Sequence, residues 1–356
     1  MKYRLASILA SETATTAATK TVDINLIDPI SQIIVKYNWT NGDHVADGHP
    51  AKMVSKIEVV DGSEVLASLS GIQAEALHFF NTKECRAQEL EYRNGCSGTV
   101  LLPIDFGRFL HDTQLAFLPK KFRNPQIKVT HNIALGGSSV SSSSLEIFAH
   151  IFDEKAISPI GFLLSKEFFS YTLVANQYKS IDLPTDHILR KLLIKALTDN
   201  YEITDQFAEV KVSEDNDKKV PYNLDMADLI QFARQKYGEY HEQIVGTYPD
   251  IGAQSWWVTP SNKFNIGLFN TYMQVSGWGD ESYGGHYRGE CSAVCAWRGN
   301  CVGFEPHGCV PLDFGIQDDL NDWYDVTKLG SLILRLKDGS SPSGTGEIIT
   351  QQLRKY

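Results

Sequence analysis

"VLLPIDFGRFLHD" at residues 100–112 and "CVPLDFGIQDDLND" at residues 309–322 carry one phrase twice: a hydrophobic residue, then Pro-x-Asp-Phe-Gly. The matched residues are Pro103 and Pro311, Asp105 and Asp313, Phe106 and Phe314, Gly107 and Gly315. In a kinase the Asp-Phe-Gly triplet holds magnesium, in company with a Gly-rich phosphate loop, a strand Lys and an upstream His-Arg-Asp. None of those companions occurs here. The Gly-rich run "GWGDESYGGHYRG" (277–289) lacks the spacing of a phosphate cradle. The phrase is therefore read structurally, as corresponding turns: Pro fixes φ, Asp closes the turn, Phe anchors it to the core and Gly frees the backbone.

Working outward from the phrase, more of the two halves corresponds. "VDINLIDPISQIIVKYNWTNG" (22–42) parallels "SIDLPTDHILRKLLIKALTDN" (180–200), with Lys36 and Lys195 inside the apolar runs and turn residues at both ends. "KIEVVDGSEVLASLSGIQAEALHFF" (56–80) parallels "EVKVSEDNDKKVPYNLDMADLIQFAR" (209–234). Each reads as an alternating strand, an acidic turn, a short strand and a helix. Leu69, Ile72, Ala76, Leu77 and Phe80 keep helical spacing, as do Leu224, Ala227, Ile230 and Ala233, with Ser70 and Asp225 as N-caps. After the Asp-Phe-Gly phrases come the strands 125–135 and 330–339. Gly/Ser turns follow, and then the closing strands 145–152 and 347–355. Five correspondences in one order identify a tandem duplication. Each half contains seven or eight short strands and one helix, which predicts an all-β chain of two tandem eight-stranded jelly rolls. The expected layout is a flexible N-terminal arm (1–21), a first jelly roll (22–155), a linker (156–167) and a second jelly roll (168–356).

Composition agrees with folded β structure: 42% hydrophobic, 21% charged and 11% aromatic over 356 residues. The net charge of −10 argues against direct nucleic-acid binding, which needs a basic face. No apolar run approaches the length of a membrane span, and "LASILA" near the N-terminus is shorter than a secretory core.

The halves differ in one place. Between helix and Asp-Phe-Gly phrase the second half holds an insertion at about 250–309 with Trp256, Trp257, Trp278 and Trp297, which predicts an exposed interaction loop. It also holds Cys291, Cys295, Cys301 and Cys309, while the corresponding loop of the first half has Cys85 and Cys96. The expectation is local disulfides, with free thiols and then zinc as alternatives; tight Cys-x2-Cys knuckles are absent.

Chemistry-bearing motifs are sparse. His44 and His49 in "GDHVADGH" read as solvated loop histidines, and no His-x-His of a cupin occurs. There is no Gly-x-Ser-x-Gly and no His-Glu-x-x-His. Asp318, Asp319 and Asp322 are the candidates for a metal, but the run lacks a calcium loop's Gly and spacing, so a solvated acidic surface is favoured. Asn38-Trp39-Thr40 is formally a glycosylation acceptor. No enzyme activity and no cofactor are expected.

Two fused sandwiches, one decorated loop and an N-terminal arm together resemble the double jelly-roll major capsid proteins of adenoviruses, tailless membrane-containing bacteriophages and archaeal viruses, over residues 22–356. The resemblance implies a homotrimer of pseudo-hexagonal outline, assembly into an icosahedral shell in the virion after synthesis in the host cytoplasm, and the insertion as an outer tower. It also implies contacts with minor capsid or vertex proteins and an internal membrane beneath the N-terminal arm. The alternatives are a secreted two-domain jelly-roll glycan-binding protein or glycan amidase, whose Trp-rich segment would stack sugars, and a bicupin enzyme.

Overall fold

Along Ile30–Thr40, Ile33, Val35, Tyr37 and Trp39 are buried while Ile34, Lys36, Asn38 and Thr40 between them are only partly covered. This period of two is what a strand with one face on a core produces. It recurs across the computed structural model, which describes residues 2–153, 156–248, 252–268, 283–291 and 295–356.

The first half contributes β1 (Arg4–Thr13), β2 (Ala18–Asp23), β3 (Ile30–Thr40), β4 (Val54–Asp61), β5 (Glu64–Leu69), α1 (Gly71–Thr82), β6 (Leu90–Glu91), β7 (Ser97–Asp105), β8 (Pro125–His131) and β9 (Ser142–Ile151). The second contributes β10 (Gly161–Thr172), β11 (Tyr178–Asp182), β12 (Ile188–Ala196), α2 (Ile203–Gln206), β13 (Phe207–Glu214), β14 (Lys219–Asp225) and α3 (Met226–Tyr237). An inserted group follows: β15 (Tyr240–Tyr248), β16 (Gly252–Trp257), β17 (Pro260–Leu268), β18 (His286–Cys291) and β19 (Cys295–Pro306). The chain closes with β20 (Cys309–Asp313), β21 (Leu332–Asp338) and β22 (Thr345–Lys355).

Strand order shows two jelly rolls. The first pairs a sheet β1-β9-β3-β7 with the strands β2-β8-β4-β5; the second pairs β10-β22-β12-β20 with β11-β21-β13-β14. A parallel contact of β5 with β10, at Ser68 and Lys166, fuses four strands of each half into one eight-stranded sheet. Register is repeated as well as order. Ile34 faces Pro103 and Lys36 faces Glu146 in the first half, as Leu193 faces Pro311 and Lys195 faces Glu347 in the second. Both lysines bridge their glutamates at 2.8 Å. A one-residue slip would turn each hydrophobic set to the wrong face, so identical register means identical core patterning.

Several expectations are corrected. Residues 4–13 and 18–21 of the expected arm belong to β1 and β2, with β1 paired along β9 and β2 along β8, because Ala6, Leu9 and Ala14 help close the first core. The expected linker overlaps β10, which begins at Gly161, where an added Cβ would lie 2.1 Å from the Arg354 carbonyl oxygen. Pro103 and Pro311 lie inside β7 and β20, which are edge strands where a missing N–H is tolerated, so they are not turn residues. The helices do begin at Ser70, whose side chain accepts from the Gln73 N–H, and at Asp225.

Candidate functional site

The two Asp-Phe-Gly phrases end β7 and β20 and hold the helices. Asp105 accepts from Gln32 Nε2 (2.7 Å), His78 Nδ1 (2.9 Å) and Asn81 Nδ2 (3.2 Å), the last two on α1. Asp313 accepts from Lys236 Nζ (2.8 Å) and Tyr237 OH (2.6 Å) on α3. Burial pulls both carboxyls toward protonation, but these partners and Lys191 outweigh it and hold both below the ordinary range. Each Asp therefore clasps the end of a helix; it does not close a turn. Phe106 and Phe314 are buried as expected. Phe106 stacks on Phe117 (5.0 Å) and meets Phe162 of β10 edge-on (6.0 Å), so it also ties the halves together; Phe314 stacks on Tyr324 (5.6 Å) within its own half. Gly315 takes φ +79°, where Gly is favoured, whereas Gly107 is required by space, a Cβ there falling 2.8 Å from that of Asp112.

Between the halves, α1 lies on the outer face of β10-β22-β12-β20. Gln73 Nε2 donates to Glu167 and Glu347 (2.6 Å each), Arg190 Nη1 donates to Asn81 Oδ1 (2.7 Å), and Lys191 Nζ donates to the Phe80 carbonyl (2.5 Å). Leu164, Leu193, Cys309 and Ile349 on that face join the first half's hydrophobic core, together with Leu77 of α1. Among the described residues the matching outer face of the first half has no such cover. It borders a groove of about 720 Å³ lined by Gln32, Ile34, Leu101, Pro103, Asp105 and Phe109, with α1 residues His78 and Thr82 along one side.

Beside the groove, a buried polar network joins the loop before Pro50, α1 and the insertion. Arg86 Nη2 donates to Glu75 Oε1 (2.5 Å), and Tyr240 OH donates to the same oxygen (3.2 Å). Glu75 Oε2 lies 3.0 Å from His307 Nε2. Glu242 accepts from the N–H (2.6 Å) and hydroxyl (2.8 Å) of Thr259. His49 Nδ1 accepts from the Ala51 N–H (3.2 Å), which leaves its Nε2 protonated toward Thr259 Oγ1 at 3.1 Å. Burial pushes Glu242 up to about 7; Glu75 is held at about 2, where Arg86 and His307 overcome the desolvation. The ligand atoms of His49, Glu75 and His307 lie within 4.8 Å of one another. Both nitrogens of His49 are engaged, however, and a guanidinium sits on Glu75, so the geometry is a hydrogen-bonded clasp and not a cation seat. His49 is thus a buried structural residue, against the expectation of a solvated loop.

Asp319 Oδ1 and Asp322 Oδ2 accept from the backbone N–H groups of Asn321 (3.0 Å) and Ile316 (2.6 Å), and Asp318 accepts from Arg108 through its carbonyl. The three carboxylates do not form a ligand group among the described residues. Trp256 and Trp297 are buried in the core of the insertion, 5.0 Å apart edge-to-face, and Trp257 is half-buried with its Nε1 donating to Asp199 (3.1 Å). They are core residues where an exposed loop was expected; Trp278 lies outside the described residues. Cys85, Cys96, Cys301 and Cys309 are free thiols, against the disulfide expectation, and the side chains of Cys291 and Cys295 lie outside the described part. The insertion begins earlier than expected, at β15, and its sheet β17-β19-β15 recruits β6 of the first half as a fourth strand. No sequence signal announced the clasp, whose members run from His49 to His307 along the chain. The groove was reachable from the repeat: Ile34 and Leu101 are apolar at positions that alternation assigns to the outside.

The fold so defined is that of double jelly-roll capsid proteins, and solved structures of that class align with nearly the whole chain. The STIV MCP superposes with a TM-score of 0.60 at 13% identity, covering 100% of this chain and 98% of that one. The major capsid protein P2 of bacteriophage PM2 gives 0.57 at 10%, covering 99% and 98%. The PBCV-1 virus capsid gives 0.58 at 10%, covering 99% and 93%. No protein-family model and no curated protein sequence matches the chain.

Proposed function

We propose that this protein is a major capsid protein whose copies associate as trimers of pseudo-hexagonal outline and tile an icosahedral shell. The observation that carries the proposal is the pair of jelly rolls fused through one eight-stranded sheet, in an order and length that capsid chains match end to end. The function is mechanical: complementary surfaces close a ring, and weaker contacts between rings build the lattice. A trimer interface of this kind buries on the order of 2,000 Å² or more. The insertion forms the outer tower, minor or vertex proteins bind at the rim of the trimers, and the net charge of −10 suits an outer wall and leaves genome packing to other proteins. The glycan-binding alternative is weakened, since Trp256 and Trp297 of its tryptophan segment are enclosed in the insertion's own core.

Light scattering on the purified chain tests this. The expected mass is three times the 39.8 kDa of one chain, with larger species as concentration rises. A monomer at every concentration that also binds an oligosaccharide array would overturn it.

A further inference from the structure

The two halves carry the same outer face, but among the described residues only one of them is covered. In the second half, Leu193 and Cys309 are 1% and 0% exposed because α1 lies over them. At the same two register positions the first half has Ile34, which is half-buried, and Leu101, which is 43% exposed. The groove beside Leu101 and Pro103 holds about 720 Å³; beside Cys309 and Pro311 only about 10 Å³ remains, where Phe79 and Phe80 of α1 meet Ala233 and Tyr237 of α3 and Phe304 of the insertion.

The two helices show the complementary difference. Counting from the N-caps Ser70 and Asp225, Phe232 of α3 stands where Leu77 stands in α1. Leu77 is enclosed, whereas Phe232 is 59% exposed, with Asp228, Gln231 and Gln235 exposed around it. One repeat unit therefore presents an empty seat, and the other presents an uncovered helix equivalent to the one that fills the seat's counterpart.

We infer that the groove at Ile34, Leu101 and Pro103 seats α3 of a second copy of this chain. Within the chain, helix α1 of the first jelly roll covers the outer face of the second. Between chains, α3 of one copy covers the outer face of the next copy's first jelly roll by the same packing. Phe232 enters the groove as Leu77 enters its own site, and Gln235 takes the place of Phe80. Asp228 takes the place of Gln73, which rests on the Lys195–Glu347 pair, and so meets the equivalent Lys36–Glu146 pair with a countercharge for Lys36. Each copy offers one helix and one groove on different surfaces, so the contact is head-to-tail and closes only as a ring. A helix laid by its apolar anchor into a hydrophobic groove is a common recognition mode. The inference rests on the capsid reading and names the surfaces that reading leaves open.

Phe232→Glu and Leu101→Glu test it. Both side chains face solvent in the single chain, so circular dichroism and melting should match the wild type, and Leu101→Asn stands in if the glutamate disturbs β7. Each variant should run as a monomer in light scattering, with association weakened about 30-fold or more, as loss of an interface anchor produces. Mixed one to one, the two variants should form a two-chain complex, because one keeps an intact groove and the other an intact helix. Folded variants that retain the wild-type trimer mass, or a mixture that stays monomeric, would overturn the assignment while leaving the capsid reading standing. A wild-type chain that never associates would overturn both.

Discussion

Lys191 is a buried cation at the joint between the jelly rolls, and replacing it with Met has a calculable signature. Its side chain is fully enclosed, its Nζ donates to the Phe80 carbonyl at 2.5 Å, and Asp313 Oδ1 lies 3.6 Å away. Burial lowers its pKa from 10.5 to about 7, with Asp313 offsetting part of the desolvation. The unfolded chain keeps this proton up to about pH 10.5, whereas the folded chain releases it near 7. Between those values the unfolded state binds more protons, so stability rises with pH. A gap of this size, at about 1.4 kcal/mol per unit, amounts to about 5 kcal/mol, a penalty borne in full below pH 7 and absent above 10.5. Met keeps the stem and removes the titration. Denaturant unfolding of both proteins between pH 7 and 9.5 should show the wild type gaining about 3 kcal/mol relative to Lys191→Met across that range. Thiols and tyrosines that titrate nearby cancel in the difference. Parallel curves, with a constant offset between the two proteins, would refute the burial of a titrating amine at the joint.

Three other outcomes follow from particular contacts. Alkylation in denaturant without reductant should label at least Cys85, Cys96, Cys301 and Cys309; mass spectrometry finding any of these four blocked would contradict their free state. Phe106→Ala should cost about 3–5 kcal/mol, because its ring is fully buried against Phe117 and Phe162, whereas Phe109→Ala, at a 54% exposed ring, should stay within about 0.5 kcal/mol. Equal losses would argue against the aromatic tie between halves. Glu242→Gln should flatten the stability profile between pH 4.5 and 7: the raised folded pKa means the unfolded carboxyl ionises first, so the wild type loses stability as pH rises through that window and the amide does not. An unchanged slope would refute a protonated Glu242 in the fold.

Legibility of the fold in the sequence followed the repeat. The Pro-x-Asp-Phe-Gly phrases, the Lys36 and Lys195 runs and the helix caps aligned two copies, and alternation within each copy was enough to define a sandwich. The role of the phrase itself was not legible. Pro103 and Pro311 look like turn residues because Pro usually stops a strand; the order of strands in the sheet, which leaves β7 and β20 at an edge, is not written locally. The N-terminal arm was misread for a related reason. In "RLASILASET" the buried residues are Ala6 and Leu9, and register shifts on both sides of Leu9 break the alternation by which a strand is read. The tryptophans of the insertion looked like an exposed patch because a loop seldom owns a core. Here the loop is long enough to fold its own sheet around Tyr248, Trp256 and Trp297. The clasp of His49, Glu75, Arg86, Glu242 and His307 depends on segments from three places in the chain, and no local spacing encodes that.

The central claim is that two jelly rolls in one chain are a third of a six-lobed capsid building block. Electron microscopy of the purified protein tests it most directly, as averaged images of single particles viewed down their symmetry axis. The account predicts a hexagonal outline of six similar lobes with threefold symmetry, each third matching one chain and marked by one inserted domain. Particles of two lobes, or rings closed by any number of chains other than three, would contradict it.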